Sequence, residues 1–211
     1  MKPKRKMSSG GGSASGGKSR DLEFLFEIGS LRNIPRAWVQ HLGVPVASNL
    51  EHMMRVVFLA LLITRREGKG DESTIIRMAL VHDLAETRTA DLAYVHKVYA
   101  DTHDLRAAHD LFSGTSFIDL EAIHTRYKKR DSIEAKIVKD ADNLDIDLEL
   151  KELEEQGHKL PTKWRAMRKF VRDKKLYTKT AKKIWDELQK ANVARWHMEA
   201  NKWKKIPSAG K

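Results

Sequence analysis

The chain is expected to be all-α, a single helical bundle, on three observations. Apolar residues recur at spacings of three and four from Leu22 to Leu188, and no run of five to seven residues alternates apolar with polar between turn signals. The third is a pair of helix-start signatures, a serine or aspartate with an acid three residues on, ahead of the two longest apolar stretches. At 211 residues the chain can bury one full hydrophobic core, and no compositional break divides its body.

Only the ends differ in composition. The formal net charge is +11, but residues 1–20 carry six Lys/Arg, residues 200–211 carry four Lys, and neither end has an acid, so residues 21–199 keep only +1. Residues 1–20, with Ser-Ser-Gly-Gly-Gly-Ser-Ala-Ser-Gly-Gly at their centre, have little to bury and are expected to be a flexible tail. The domain then spans 21–199, and 200–211 form a basic C-terminal tail. Short basic tails confer solubility or weak attraction to phosphate, so specific nucleic-acid binding is not expected. With no cysteine there are no disulfides, thiolate zinc sites or cysteine nucleophile, which fits a reducing, cytoplasmic setting. No apolar run is long enough to span a membrane and the N-terminus lacks the apolar core of a signal peptide, so a soluble protein without a membrane partner is expected.

In order along the chain, residues 21–31 bring Leu22, Phe24, Leu25, Phe26, Ile28 and Leu31 at helical spacing, ending near Asn33 and Pro35. A connector follows with Pro35-Arg36-Ala37-Trp38 and Gly43-Val44-Pro45; from the residues alone it reads as a packed tryptophan beside a solvated arginine. Ser48-Asn49-Leu50-Glu51 is a capping box and puts His52 in the first turn of a helix. That helix is apolar nearly all round from 53 to 63 and is expected to be central and buried.

Asp71 or Ser73 can cap the next helix, which contains the stretch around which the chain is organised, Ile75 to Thr87. At about 100° per residue, Ile75, Ala79, His82 and Glu86 share a face with Asp83 beside them. An imidazole and two carboxylates carried into an apolar interior have the chemistry of a metal site. His-Asp also occurs at His103-Asp104 and His109-Asp110, but in a polar stretch that reads as an exposed loop or short helix. Residues 117–127 form another helix, and Asp131-Ser132-Ile133-Glu134 opens a long one running to about Glu155. Its apolar stripe is Ile133, Ile137, Ala141, Leu144 and Leu148; Asp142 and Asp145 flank one side, Asp140 and Asp147 the other, and periodicity slightly favours Asp145 as the buried acid. Trp164, Met167, Phe170 and Val171, then Tyr177, Ala181, Ile184, Trp185 and Leu188, continue the helical pattern.

His52 at a helix start, His82-Asp83-x-x-Glu86 and a later Asp142 resemble the H…HD…D pattern of the HD-domain metal-dependent phosphohydrolases. The resemblance covers roughly residues 22–188 and is closest to the branch of bacterial 5'-deoxynucleotidases and small HD-domain proteins. It rests on Ser48-x-x-Glu51-His52, on Asp91 five residues after Glu86, and on Val138-Lys139-x-x-Asp142, which selects Asp142 over Asp145. The proline-arginine-tryptophan neighbourhood before the first histidine is shared; Ala93-Tyr94 departs from relatives that carry proline there.

The resemblance implies a single HD-domain helical bundle in which His52, His82, Asp83 and Asp142 hold a divalent metal ion, Co, Mn, Fe, Ni, Zn or Mg. Glu86 then orients or deprotonates the attacking water, or joins Asp91 in holding a second cation; the plain alternative makes Glu86 the partner of an arginine such as Arg55 or Arg88. Arg36 is expected to hold a phosphate, Trp38 to pack on sugar or base, and Asp91 to accept from a sugar hydroxyl. The implied activity is release of phosphate from (deoxy)nucleoside 5'-monophosphates by a homodimer. Its rivals are hydrolysis of a nucleoside triphosphate or guanosine polyphosphate, and a non-enzymatic helical module that binds nucleotide or RNA.

Overall fold

The computed structural model describes residues 20–199; the expected tails at 1–20, save Arg20, and at 200–211 lie outside the described residues. Among the described residues the regular elements are helices, with no strand beyond an isolated bridge between Pro35 and Ser48. The all-α expectation holds, and no described helix is long and apolar enough to cross a membrane.

The first described residue, Arg20, already lies in helix α1 (Arg20–Gly29), and its guanidinium donates to the carbonyls of Asp110 and Ser113. It gives way to a 3-10 turn, Ser30–Asn33. After the short α2 (Val39–Leu42), the capping box forms as the sequence predicts and opens α3 (Asn49–Glu67). Asp71 rather than Ser73 caps α4 (Glu72–Val81). Two single-turn helices, α5 (Glu86–Thr89) and α6 (Tyr94–Lys97), lead to α7 (Asp104–Phe112) and α8 (Asp119–Lys129). The polar stretch at 101–110 is thus mostly helix: Ala107, Ala108, Leu111 and Phe112 pack inward, while His103 and His109 stay exposed as expected. Ser132 caps the 23-residue α9 (Ile133–Glu155), followed by α10 (Leu160–Lys174), α11 (Lys179–Leu188) and the short α12 (Arg195–Met198).

The main core lies where α3, α4 and α9 cross. Ala60, Ala79 and Ala141, one from each helix, are fully buried there with Ile63, Met78, Ile137 and Leu144. Small side chains at a crossing let helix axes approach closely. His52 lies about two turns before Ala60, His82 three residues after Ala79 and Asp142 next to Ala141, so this contact brings the three together. A second cluster, built on Phe24, Leu31, Leu84, Leu111 and Phe112, packs α1 and α7 against the end of α4.

Burial of α3 all round is corrected. Leu50, Met54, Phe58 and Leu62, at four-residue steps, form an exposed stripe along its outer side, with Met54 58% and Phe58 66% accessible. Periodicity could not mark this side as unpartnered because both faces of the helix are apolar.

Candidate metal centre and nucleotide cleft

Four side chains meet at the crossing: His52 from α3, His82 and Asp83 from the turn after α4, and Asp142 from α9, with one ligand atom of each within 4.8 Å of all the others. His82 Nε2 lies 3.1 Å from Asp83 Oδ2 and 3.3 Å from His52 Nε2, which is 3.4 Å from Asp142 Oδ1. Both imidazoles are fully buried.

The outer atom of each donor fixes what its inner atom offers. His52 Nδ1 faces Asp145 Oδ2 at 2.6 Å and His82 Nδ1 faces the Ala79 carbonyl at 2.8 Å, so each ring donates outward and turns the Nε2 lone pair inward. Lys139 Nζ holds Asp142 Oδ2 at 2.6 Å, leaving Oδ1 for the centre. Two nitrogen lone pairs and two carboxylate oxygens then converge with no donor between them. A mixed nitrogen and oxygen set of this kind fits a divalent cation.

The proton equilibria express the same demand for positive charge. Against burial and the nearby Arg36, hydrogen bonds that His52 makes to the carboxylates of Asp142, Asp145 and Asp83 raise it well above the usual histidine range. Burial would raise Asp83 and Asp142, yet His82 and His52 hold the first, and Lys139 and His52 the second, well below the usual carboxylate range.

Glu86 departs from the simple helical reading. The chain leaves α-geometry after Val81 and runs through i to i+3 bonds, among them Leu84 N–H to Val81 C=O at 3.3 Å and Glu86 N–H to Asp83 C=O at 2.9 Å. In that tighter winding residues three apart eclipse, so Glu86 stacks over Asp83 rather than continuing a face with His82. Neither arginine named as its structural partner reaches it: Arg55 pairs with Asp145 and Glu152, and Arg88 with Glu27. Its Oε2 instead accepts from Asn49 Nδ2 at 2.5 Å. Burial, then the charges of Asp83 and Asp91, push its pKa up to about 9.

Arg36 and Trp38 reverse the plain reading, because the arginine is the buried one, only 4% exposed. Arg36 Nη1 meets Asn49 Oδ1 at 2.8 Å, Asp91 Oδ2 at 3.3 Å and Asp83 Oδ2 at 3.7 Å, while its buried Nε has no partner. One corner of the guanidinium is anchored, and the Nε–H is left without a partner. The Trp38 ring stacks on the guanidinium at 4.6 Å. Ala90, at φ +59° and ψ +162°, is in a conformation costly for a residue with a Cβ, and it turns the chain so that Asp91 also receives the Ala37 N–H at 3.0 Å.

Arg36, Trp38, Asp83, Glu86, Asp91 and Asp142 all line one cleft of about 460 Å³. Glu86 and Asp91 stand in its wall outside the four-donor cluster. The sequence reading missed Asn49, which ties Arg36 to Glu86, and Glu149, which holds Trp38. It also missed Trp164 and Met167 of α10, which face this cleft rather than the core. Asn49 could have been flagged as an amide leading into an otherwise apolar helix; for α10, an apolar face toward a cleft has the same period as one toward a core.

Similarity to known proteins agrees with this geometry. The 5'-deoxynucleotidase HDDC2 of Homo sapiens is 29% identical over 145 residues, covering 65% of this chain and 70% of that protein. Its Dictyostelium discoideum counterpart is 29% identical over 159 residues, covering 69% and 83%. A conserved hypothetical protein from Pyrococcus furiosus superposes with a TM-score of 0.68 at 24% identity, covering 81% of this chain and 99% of that one, which establishes a shared fold. The HD domain model matches residues 28–191, more than half the chain and every residue of the four-donor cluster, and on that match this chain belongs to the HD domain family.

Proposed function

We propose that the protein is a metal-dependent phosphohydrolase that releases phosphate from nucleoside 5'-monophosphates, 2'-deoxynucleotides among them. The observation that carries this reading is the one cleft lined by Asp83 and Asp142, the two carboxylates of the four-donor cluster, together with Arg36, whose Nε has no partner, and Trp38. The relatives named as 5'-deoxynucleotidases support the same substrate class.

His52, His82, Asp83 and Asp142 would hold the cation, and imidazole with carboxylate suits Mn²⁺, Co²⁺, Fe²⁺, Ni²⁺ or Zn²⁺ better than Mg²⁺. A bound divalent ion supplies Lewis-acid polarisation of the phosphoryl group and lowers the pKa of water. Around it, Arg36 clamps two phosphate oxygens through Nε–H and its neighbouring N–H, a geometry that lysine does not offer. Glu86, steadied by Asn49, has its pKa raised by burial and by the charges of Asp83 and Asp91, which a bound cation would offset; once ionised, it takes the proton of the attacking water as the oxygen–phosphorus bond forms. The same carboxyl then serves the departing 5'-oxygen as the ester bond breaks. Trp38 covers the sugar or base, and Asp91, which already orders Arg36 and the connector, accepts from a sugar hydroxyl. A second role for Glu86 and Asp91, as ligands of a second cation, is favoured by the mutual field that raises the Glu86 pKa.

The protein works in this reading as a cytoplasmic homodimer. Absence of cysteine suits a reducing compartment, and the exposed stripe on α3 is an apolar surface that a second copy would cover.

Phosphate release from nucleoside mono-, di- and triphosphates, with and without Co²⁺ or Mn²⁺, tests the reaction. Metal-dependent release from monophosphates is expected. Preference for triphosphates or guanosine polyphosphates would select that branch of the family instead, and no release from any of them would overturn the reading.

A further inference from the structure

Glu149 lies on α9 seven residues after Asp142, so two helical turns place it on the same side of the helix as that donor. Between them Ile146 faces the cleft. Glu149 is 5% exposed and makes no ion pair among the described residues. Its Oε2 accepts from Trp38 Nε1 at 2.9 Å and its Oε1 from the Ala47 N–H at 2.5 Å. Burial raises the pKa of this carboxylate against its two hydrogen bonds and the charge of Arg55, so it is kept in the interior at a cost and holds the two N–H groups it meets.

The two N–H groups it binds, on Trp38 and Ala47, both belong to the connector that carries Arg36 and Trp38. At the far side Arg36 N–H bonds the Ala47 carbonyl at 3.0 Å, and Asn49 N–H bonds the Ile34 carbonyl at 2.8 Å, so the connector is closed on itself and pinned to α9 through Glu149. We propose that Glu149 is a positioning residue for nucleotide selection. It fixes the indole of Trp38 over the cleft and thereby sets how tightly the nucleoside part of a substrate, not its phosphate, is held. This rests on the nucleotide-hydrolase reading above for the identity of the substrate.

The test compares wild type, Glu149→Ala, Glu149→Gln and Trp38→Ala, each loaded with Mn²⁺, on a 2'-deoxynucleoside 5'-monophosphate and on deoxyribose 5-phosphate, which has no base. Loss of both hydrogen bonds in Glu149→Ala is expected to raise KM for the nucleotide about 10-fold, the scale of one hydrogen bond to a charged group, with kcat within about 2-fold. Constants for the base-free ester, which keeps the sugar and the phosphate, should move less than those for the nucleotide. Glu149→Gln, which retains one acceptor for the two N–H groups, should fall between. The double variant Glu149→Ala/Trp38→Ala should be no worse than Trp38→Ala alone, because the two act as a unit.

Unchanged KM in Glu149→Ala, or equal losses on both esters together with a lowered melting temperature, would overturn the positioning role. Equilibrium dialysis of the same nucleotide separates the two levels of argument. A wild type that binds but does not hydrolyse would refute the reaction, and the ratio of dissociation constants between wild type and Glu149→Ala would still decide the role of Glu149. A wild type that does neither overturns both.

Discussion

Asp145→Asn separates the acid that binds a metal from the acid that aims its ligand. Asp145 is fully buried, 2.6 Å from His52 Nδ1, and it also pairs with Arg55. The asparagine is nearly isosteric. It can still accept from Nδ1–H through its carbonyl, so the tautomer of His52 is kept, but the negative charge that makes the inner Nε2 a stronger donor is gone. Loss of such an outer carboxylate weakens metal binding by about 10- to 100-fold, which is about 1.4–2.8 kcal/mol. Asp142→Asn removes a charged donor from the centre itself and should abolish stoichiometric binding at metal concentrations that saturate Asp145→Asn. The assay is competition against a chromophoric chelator with Mn²⁺ and Zn²⁺, with far-ultraviolet circular dichroism to confirm that both variants remain helical. Wild-type affinity in Asp145→Asn would refute the orienting role; full binding in Asp142→Asn would refute the donor assignment.

Glu86→Gln should keep the metal and the fold while lowering kcat by about 10²–10⁴, the range for a general acid–base group. Recovery of that rate by excess metal would assign Glu86 to a second cation instead, and near-wild-type kcat at saturating metal would remove it from the chemistry. His124 is fully buried with both ring nitrogens unpaired, and burial followed by the Lys128 charge lowers its pKa to about 4. A histidine depressed in the fold is protonated first in the unfolded chain, so stability falls as pH drops from about 6.5 towards 4. Its share of the loss between pH 7 and pH 5 is about 2 kcal/mol. Urea unfolding of wild type and His124→Leu at both pH values checks it, and equal pH dependence in the two proteins would contradict the assignment. If the protein pairs through the exposed α3 stripe as proposed, Phe58→Glu, in its middle, should lower the mass from dimer to monomer in sedimentation without loss of helicity; the same mass for both proteins would refute pairing through this face.

The helices were legible because caps and apolar spacing are local signals. Ser48 and Glu51 specify the start of α3 within four residues, and the stripe Ile133, Ile137, Ala141, Leu144 and Leu148 predicts the buried side of α9. Asp142 and Asp145 could not be ranked by the same means. They lie about 60° apart around the helix axis, both are buried, and what divides their work is where α3 crosses α9. Motif resemblance selected Asp142, which contributes to the cluster, and periodicity selected Asp145, which does bury deeper. The winding that leads to Glu86 is illegible for a related reason: nothing in Val81-His82-Asp83-Leu84-Ala85-Glu86 announces that hydrogen bonding tightens to i+3 there. Asn49 and Glu149 escaped because their partners, Glu86 and Trp38, are 37 and 111 residues away in the chain.

The four aspartates of α9 show why the centre is so well specified. Asp142 serves the cluster and Lys139, Asp145 serves His52 and Arg55, and Asp147 forms a two-bond pair with Arg168 of α10 at 2.9 and 2.7 Å. Asp140 accepts the N–H groups of Tyr177 and Thr178 and the Thr178 hydroxyl, each at 2.8 Å, and so anchors the start of α11. Each buried carboxylate is costly unless its own partners are met, and the partners lie on α3, α10 and α11 as well as on α9 itself. Sliding α9 by a turn, or rotating it by one residue, would strand all four charges at once, a penalty that a purely apolar stripe could not impose. Ile137, Ala141 and Leu144 would tolerate neighbouring apolar registers far better. Burial of the stripe therefore holds α9 in the bundle, while the aspartates fix its register and rotation. That fixed register sets Asp142 opposite His52 and Glu149 opposite Trp38, so the four-donor cluster and the Trp38 side of the cleft are aligned by one rigid helix.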